Sequence, residues 1–347
     1  MEKIFRLFIL TLFLLASFGP AAASEITFKA KTWEREGMEH LASREYDKAI
    51  KAFTTAIAID PEIASVYNNR GSAYEKKGLY DQAIEDYTKA IALDRNFGNA
   101  YFNRGIVYEK KGLYERAVED YTKTIAIDPK DVHAYNNRGK VYQQKGLQDR
   151  AIEDYTQAIA IDPNSALLYY NRGTIYGKKG DYDRAIADLT RAIAMNPESA
   201  NAYLNRGNAY ENKGQYDQAI ADFTKVISMD PRNVQAYFNR GNAYEKNGQY
   251  DRAIDDYTRV IALNAQDAHA FNNRGSAYEK KGQREKAIED FTRAIAINPN
   301  FAEAYNNRGA VYFNLGNEQQ ATKDLKTAAR LGSRGAQQWL MKMGEKW

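Results

Sequence analysis

Residues 200–233 read ANAYLNRGNAYENKGQYDQAIADFTKVISMDPRN, and similar 34-residue segments follow one another along most of the 347-residue chain. The tripeptide Asn-Arg-Gly marks these copies, with its Gly at intervals of 34 residues from Gly71 to Gly309, and Gly37 lies one period upstream. A fixed period of this length is typical of an array in which each copy packs against its neighbours. The sequence therefore divides into nine repeats: 30–63, 64–97, 98–131, 132–165, 166–199, 200–233, 234–267, 268–301 and 302–335.

Each repeat has the pattern of two amphipathic helices, with positions numbered here from 1 to 34. Positions 4, 8 and 11 share one face of a first helix, and positions 20, 21, 24, 27 and 28 share one face of a second. Gly at position 15, in eight repeats, suits a left-handed helix end, and the acidic residue usual at position 18 suits the start of the second helix. Asp-Pro at positions 31 and 32 ends that helix. We predict an all-α fold of paired antiparallel helices.

These residues resemble the tetratricopeptide repeat (TPR) family. The resemblance rests on an aromatic residue at position 4, Gly at 8, Tyr at 11, Gly at 15, Ala at 20 and Pro at 32, and it covers about nine tenths of the chain. It implies an α-solenoid in which nine helix pairs form a right-handed superhelix with a concave, ligand-binding groove. The Asn-Arg-Gly repeats behind an export signal favour a bacterial, exported member of the family.

The amino-terminal segment has the layout of a signal peptide. Lys3 and Arg6 precede an apolar run over residues 7–18, and small residues such as Ala21 and Ala23 follow. We predict a signal peptide over residues 1–23 and an exported protein, periplasmic or secreted. The 12-residue run is short for a bilayer span, so an uncleaved anchor is the alternative, and we expect no integral span after cleavage.

The carboxyl-terminal segment has an apolar stripe at helical spacing. Ala336, Trp339, Leu340 and Met343 would lie on one side of a helix. An array of this kind needs an end that covers its last apolar face. We therefore predict a capping helix over residues 336–347.

Composition argues against most chemical sites. The net charge is only +4, which argues against a nucleic-acid partner. The chain has no Cys, and its three His residues are widely separated, so neither a metal site nor a cofactor is expected. The carboxylates recur at each repeat, and no pair stands out as an acid and a base. We predict no catalytic residues.

Two polar positions change together between repeat 1 and the later repeats. Position 7 is Arg and position 23 is Asp in repeats 2 to 9, whereas repeat 1 has Glu36 and Ala52. A partly buried guanidinium needs a partner, so we predict structural ion pairs within repeats. The first three pairs are Arg70 with Asp86, Arg104 with Asp120 and Arg138 with Asp154.

Position 6 is Asn in repeats 2 to 9, on the side of the first helix that lines the groove in the TPR family. An amide offers a donor and an acceptor, which suits the backbone of an extended peptide. Apolar residues at position 5 predict side-chain pockets beside these amides, and a purely stabilising role for the Asn residues is the alternative. The predicted groove residues are Asn69, Asn103, Asn137, Asn171, Asn205, Asn239, Asn273, Asn307, Phe102, Tyr170, Leu204 and Phe238.

The sequence thus favours a non-enzymatic scaffold that binds an extended protein or peptide segment in a groove. Asn, Tyr and Phe also suit sugars, so the alternative is a polysaccharide-binding or polysaccharide-export accessory protein of the cell envelope.

Overall fold

The computed structural model describes the backbone of residues 20–347 and the side chains from residue 24 onward. This part of the chain contains nineteen α-helices and no β-strand. The helices are α1 Pro20–Ala42, α2 Tyr46–Ile59, α3 Ala64–Lys76, α4 Tyr80–Leu93, α5 Gly98–Lys110, α6 Tyr114–Ile127, α7 Val132–Gln144, α8 Gln148–Ile161, α9 Ala166–Lys178, α10 Tyr182–Met195, α11 Ala200–Asn212, α12 Tyr216–Met229, α13 Val234–Lys246, α14 Tyr250–Leu263, α15 Ala268–Lys280, α16 Arg284–Ile297, α17 Ala302–Asn314, α18 Glu318–Arg330 and α19 Arg334–Lys342. The predicted all-α class and its helix pairs are confirmed.

The chain forms two compact units. The first ends at Asn164 and holds repeats 1 to 4, which comprise α1 to α8. The second runs from Ser165 to Trp347 and holds repeats 5 to 9 and α19. Within each unit the first helix of a repeat packs against its second helix, and that second helix packs against the first helix of the next repeat.

The Gly at position 8 is required by a close contact inside each helix pair. In repeats 1 to 4 and 6 to 8, the aromatic ring at position 24 of the second helix lies directly on the backbone of this Gly, and Leu189 and Leu325 take its place in repeats 5 and 9. A Cβ on Gly105 would lie 2.8 Å from a ring carbon of Tyr121, and one on Gly241 would lie 2.7 Å from Tyr257. Tyr121 and Tyr257 are fully buried. The recurring Gly thus lets the two helices approach around one large ring.

The helix ends follow the predicted turn chemistry. Gly at position 15 has positive φ in repeats 2 to 9, as at Gly78 with φ 75°. Arg44 takes the same position in repeat 1 with φ 60°, a backbone conformation that is costly for a residue with a side chain. The second helices of repeats 1 to 8 end at position 30, and the cap residue at position 31 is extended at Asp60 and Asp128.

The terminal predictions have different outcomes. The predicted signal peptide lies outside the described residues except for residues 20–23, which form the start of α1. Among the described residues, no helix has the length and apolar content that a bilayer span requires. The carboxyl-terminal helix begins at Arg334 instead of residue 336, because Ser333 caps it by accepting from the Ala336 amide.

Helix α19 covers the end of the last repeat. Its Ala336 and Leu340 are buried against Leu325 and Ala328 of α18, and Trp339 packs at the side of this cluster. Met343 was expected in the same stripe, but the helix ends before it and its side chain is about half exposed.

Candidate ligand-binding face

The Arg at position 7 and the Asp at position 23 form an ion pair in every repeat from 2 to 9. Each guanidinium donates from Nε and from Nη2 to the two oxygens of one carboxylate. In the second repeat these distances are 2.7 Å and 2.8 Å, between Arg70 and Asp86. The pairs are Arg70–Asp86, Arg104–Asp120, Arg138–Asp154, Arg172–Asp188, Arg206–Asp222, Arg240–Asp256, Arg274–Asp290 and Arg308–Asp324, which we call the Arg–Asp ladder.

The remaining surface of each guanidinium is also occupied. Arg104 donates from Nη1 to Thr88 Oγ1 of the preceding repeat at 2.8 Å. Its guanidinium carbon lies 5.8 Å and 5.7 Å from the ring centres of Tyr101 and Tyr108, at positions 4 and 11. The Thr and the two rings recur with the Arg in other repeats. A bidentate carboxylate, a hydroxyl and two aromatic faces leave this cation little surface for a ligand.

Burial and pairing act in opposite directions on these carboxyl groups. Burial raises the pKa of the Asp120 carboxyl, while its hydrogen bonds from Arg104 act to lower it. The hydrogen bond with Asp222 raises the pKa of the Arg206 guanidinium. The charged states of the carboxyl and of the guanidinium are therefore each favoured by the presence of the other group.

The Asn residues at position 6 link successive first helices. Asn103 donates from Nδ2 to Asn68 Oδ1 at 3.1 Å, which joins α5 to α3. Asn239 donates to Asn208 Oδ1 at 2.8 Å, which joins α13 to α11. Corresponding bonds run from four other members to a residue of the preceding repeat: Asn69 to Glu34, Asn205 to Thr174, Asn273 to Asn242 and Asn307 to Asn272.

This arrangement differs from the predicted solvent-facing Asn ladder. The position-6 side chains are half-buried, and Asn239 is 8% exposed. In the bonds given above, the NH₂ group donates to a polar side chain at position 5 or 9 of the preceding first helix, because the amide reaches that side chain. The prediction requires both the donor and the acceptor of the amide to be available to a ligand. In the bonds between helices the NH₂ donor is already used.

The apolar residues at position 5 are less exposed than predicted. Phe102 packs against Tyr121 with ring centres 5.8 Å apart, and Phe238 packs against Tyr257 at 5.9 Å. Leu204 joins the core cluster around Phe223. These side chains pack on the ring at position 24 of their own repeat, which sequence spacing within one helix could not reveal.

Three small cavities open on the first-helix face of the second unit, which we define as positions 2, 5, 6, 9, 12 and 13. One of about 280 Å³ lies beside Thr174 and Asn205, and one of about 380 Å³ lies beside Asn242 and Asn273. A third, of about 240 Å³, is lined by Tyr170 and by others including the exposed Leu167. In the described part of the chain, no three His, Asp or Glu residues are grouped to hold a metal ion.

The helix pairs and this polar face define a helical-repeat scaffold. Family models described as tetratricopeptide repeat match residues 64–97, 86–119, 170–223, 206–268 and 302–331. Others, described as TPR repeat, match residues 39–78, 110–146, 144–180 and 280–316. The chain belongs to the tetratricopeptide repeat family. The matching models indicate no catalytic family.

Solved structures similar to this chain include proteins described as TPR proteins. The C-terminal part of a TPR repeat-containing protein from Cytophaga hutchinsonii is 22% identical, with a TM-score of 0.60 and coverage of 68% of this chain and 97% of that one. YrrB, described as a TPR protein with an unusual peptide-binding site, is 24% identical, with a TM-score of 0.50 and coverage of 54% and 96%. MamA is 32% identical, with a TM-score of 0.47 and coverage of 50% and 94%. No curated protein matches the chain.

Proposed function

We propose that the chain is a non-enzymatic scaffold that binds an extended protein segment along the first-helix face of its second unit. The observation that supports this is a set of unused amide groups at regular spacing. Asn208 and Asn242, at position 9, accept through Oδ1 from Asn239 and Asn273. The NH₂ group of each position-9 Asn has no partner in the described part of the chain.

These groups suit the backbone of a peptide. Asn208 and Asn242 each offer an NH₂ donor at position 9, and the next first helix offers a position-6 carbonyl oxygen with a remaining lone pair. Helices α9 and α15 have hydroxyl groups at position 9, from Thr174 and Ser276. A peptide carries one N–H and one C=O at each non-Pro residue, whatever its sequence. Packed helices lie about 8–10 Å apart, or roughly three residues of extended chain. Helices α9, α11, α13 and α15 would therefore match a segment of about ten residues.

Charges on this face are partly neutralised within the protein. Lys246 lies 2.8 Å from Glu211, across two successive first helices, and in the first unit Lys110 lies 2.8 Å from Glu75. A face with paired charges and unpaired amides favours recognition of the backbone over recognition of one highly charged ligand.

The test uses a displayed library of random twelve-residue peptides, selected on the immobilised chain. Enriched peptides are then measured by fluorescence anisotropy on a variant that combines Asn208→Ala with Asn242→Ala. Ala310 occupies the same position in repeat 9, so the helices should form. The variant also loses the links from Asn239 and Asn273, and urea unfolding of the variant separates that loss of stability from a loss of binding. Two lost hydrogen bonds of about 1 kcal/mol each should weaken binding about thirtyfold.

Lys225→Ala, on the exposed side of α12, is the control and should leave the affinity unchanged. An equal loss in the control would contradict the assignment of this face. No enrichment over blank resin, together with retention of a soluble polysaccharide, would instead favour a glycan-binding accessory protein of the cell envelope.

We also propose that the protein is exported, periplasmic or secreted, on the strength of the signal layout of residues 1–23. Mass spectrometry of the protein expressed with its own amino terminus should find a chain that begins at Ser24 or Glu25. Intact Met1 in the membrane fraction would favour an uncleaved anchor instead.

A further inference from the structure

The cavity of about 280 Å³ between α9 and α11 has a largely apolar lining with several polar side chains and no acidic residue. Thr174, Asn205, Asn208 and Asn212 contribute hydroxyl and amide groups, and Lys178 contributes an ammonium group. Its size corresponds to one polar side chain or a very small ligand, since sites for larger molecules begin at roughly 300 Å³.

The lining of this cavity differs from that of nearby repeats because repeat 5 lacks two large side chains. Position 12 is Gly177 here, whereas it is Glu211 in repeat 6 and Glu245 in repeat 7. Position 24 is Leu189 here, whereas it is Tyr257 in repeat 7. Gly177 and Leu189 both line the cavity. This cavity therefore has neither the carboxylate nor the aromatic ring that repeat 7 has at these positions.

The cavity of about 380 Å³ between α13 and α15 shows how the same positions look when these side chains are present. In that cavity Glu245 accepts from Tyr257 Oη at 2.9 Å. Burial raises the pKa of the Glu245 carboxyl, while Lys280 and Lys246 act to lower it. Seven residues of each lining correspond at a separation of 68 positions: Thr174 with Asn242, Gly177 with Glu245, Lys178 with Lys246, Tyr182 with Tyr250, Asn205 with Asn273, Asn208 with Ser276 and Asn212 with Lys280. The larger cavity is also lined by Glu303.

We propose that the cavity beside Gly177 binds the carboxylate side chain of an Asp or Glu in the bound segment, in the place that Glu245 fills two repeats later. This inference rests on the proposed function, because the carboxylate comes from a peptide that lies along the same face. Lys178 has no carboxylate partner in the described part of the chain, and it lines the cavity together with Tyr182. Together they offer a cation and a hydroxyl donor, which match a carboxylate.

Position 177 allows a test in which the fold is maintained. Gly177 lies within α9, and a Cβ there would meet only Ala185 Cβ, at an ordinary 3.8 Å. Gly177→Ala therefore adds a methyl group without filling the cavity. Gly177→Glu places the protein's own carboxylate in the cavity, as Glu245 does in repeat 7. Both changes replace a poor helix former, so both variants should be at least as resistant to thermal unfolding as the native chain.

The random peptide library is selected on the native chain and on both variants. The native chain and Gly177→Ala should enrich Asp or Glu at one fixed position of the peptide, and Gly177→Glu should not. Replacing that acidic residue by its amide should weaken binding to the native chain about ten- to hundredfold, as expected for a lost charged hydrogen bond. Gly177→Glu should bind the acidic and amide peptides equally. Lys178→Gln should weaken binding of the acidic peptide and leave binding of the amide peptide unchanged.

Enriched peptides without an acidic preference would overturn this inference and leave the proposed function standing. The same acidic preference in Gly177→Glu would also overturn it, because the preference would then arise at another place. Absence of any enriched peptide would contradict the proposed function itself and would remove the basis of this inference.

Discussion

Arg104 and Asn103 are neighbours on α5, yet their side chains stabilise different parts of the array. Arg104 bonds to Asp120 on α6, the second helix of its own repeat. Asn103 bonds to Asn68 on α3, the first helix of the preceding repeat. One residue therefore closes a repeat and the next residue joins two repeats. In a repeat array these are separate energies, one intrinsic to the repeat and one belonging to the interface.

The largest effect is expected from the Arg–Asp ladder. Arg104→Leu leaves Asp120, which is 4% exposed, without its charged partner. Breaking a buried pair in this way typically costs about 3–5 kcal/mol, so the midpoint of urea unfolding should fall sharply. Circular dichroism during urea titration measures it.

The matched control adds Asp120→Ala to Arg104→Leu, which copies the residue that repeat 1 has at Ala52. Removing both charges should recover most of the lost stability, because no buried charge is left unpaired. A double variant as unstable as the single one would show that the guanidinium acts through its packing against Tyr101 and Tyr108, and not through the carboxylate.

A smaller effect is expected where the first and second helices touch. In Gly105→Ala the new Cβ would lie 2.8 Å from the Tyr121 ring, and overpacking of this kind costs about 1–3 kcal/mol. Gly177→Ala is the matched change at a helical position where the new Cβ would meet no ring. It should raise stability by up to about 1 kcal/mol. Thermal unfolding of the two variants should shift in opposite directions, and shifts of the same sign would contradict the role assigned to the ring.

The links between repeats should each contribute less than the Arg–Asp pairs. Asn239→Ala removes the bond to Asn208 and should cost about 1 kcal/mol. The loss should appear as faster amide hydrogen exchange in α11 and α13. Asn201→Ala, at an exposed site in the first turn of α11, should change neither stability nor exchange. Equal behaviour of the two variants would show that the amide bond adds nothing to the interface.

The sequence predicted the fold well because the fold depends on local spacing. Period, helix faces, the turn at Gly78 and the helix end at Asp60 all follow from residues within one repeat. The pairing of Arg70 with Asp86 was also accessible, since both residues are absent from repeat 1. The partners of Asn239 and Phe238 were not accessible in this way, because they lie on other helices and depend on how those helices pack.

The cavity beside Gly177 was missed, although its signal is in the sequence. Gly177 and Leu189 depart from the residues usual at positions 12 and 24 within the same repeat. The Arg–Asp pairs were predicted because both residues are absent together from repeat 1. Comparing positions 12 and 24 between repeats in the same way indicates that repeat 5 has a different lining at this place. Its depth and lining also depend on Asn205 and Asn208 of the next helix, which only the structure supplies.

The smallest expected effect concerns the hydroxyl of the ring at position 24, and its sign should differ between repeats. Tyr155 is fully buried, and its Oη has no hydrogen-bond partner among the described residues. Tyr155→Phe removes a buried polar group without a partner and should leave stability unchanged or raise it by less than about 1 kcal/mol. Tyr257 Oη lies 2.8 Å from Asn242 Oδ1 and 2.9 Å from Glu245 Oε2, so its one proton has an acceptor, and Tyr257→Phe should lower stability by about 1 kcal/mol. Phe223 takes this position in repeat 6, which shows that the ring alone fits, and urea unfolding of both variants would compare them directly. Equal losses in the two variants would mean that Tyr155 has a hydrogen-bond partner in solution, and the distinction drawn between these two repeats would then be wrong.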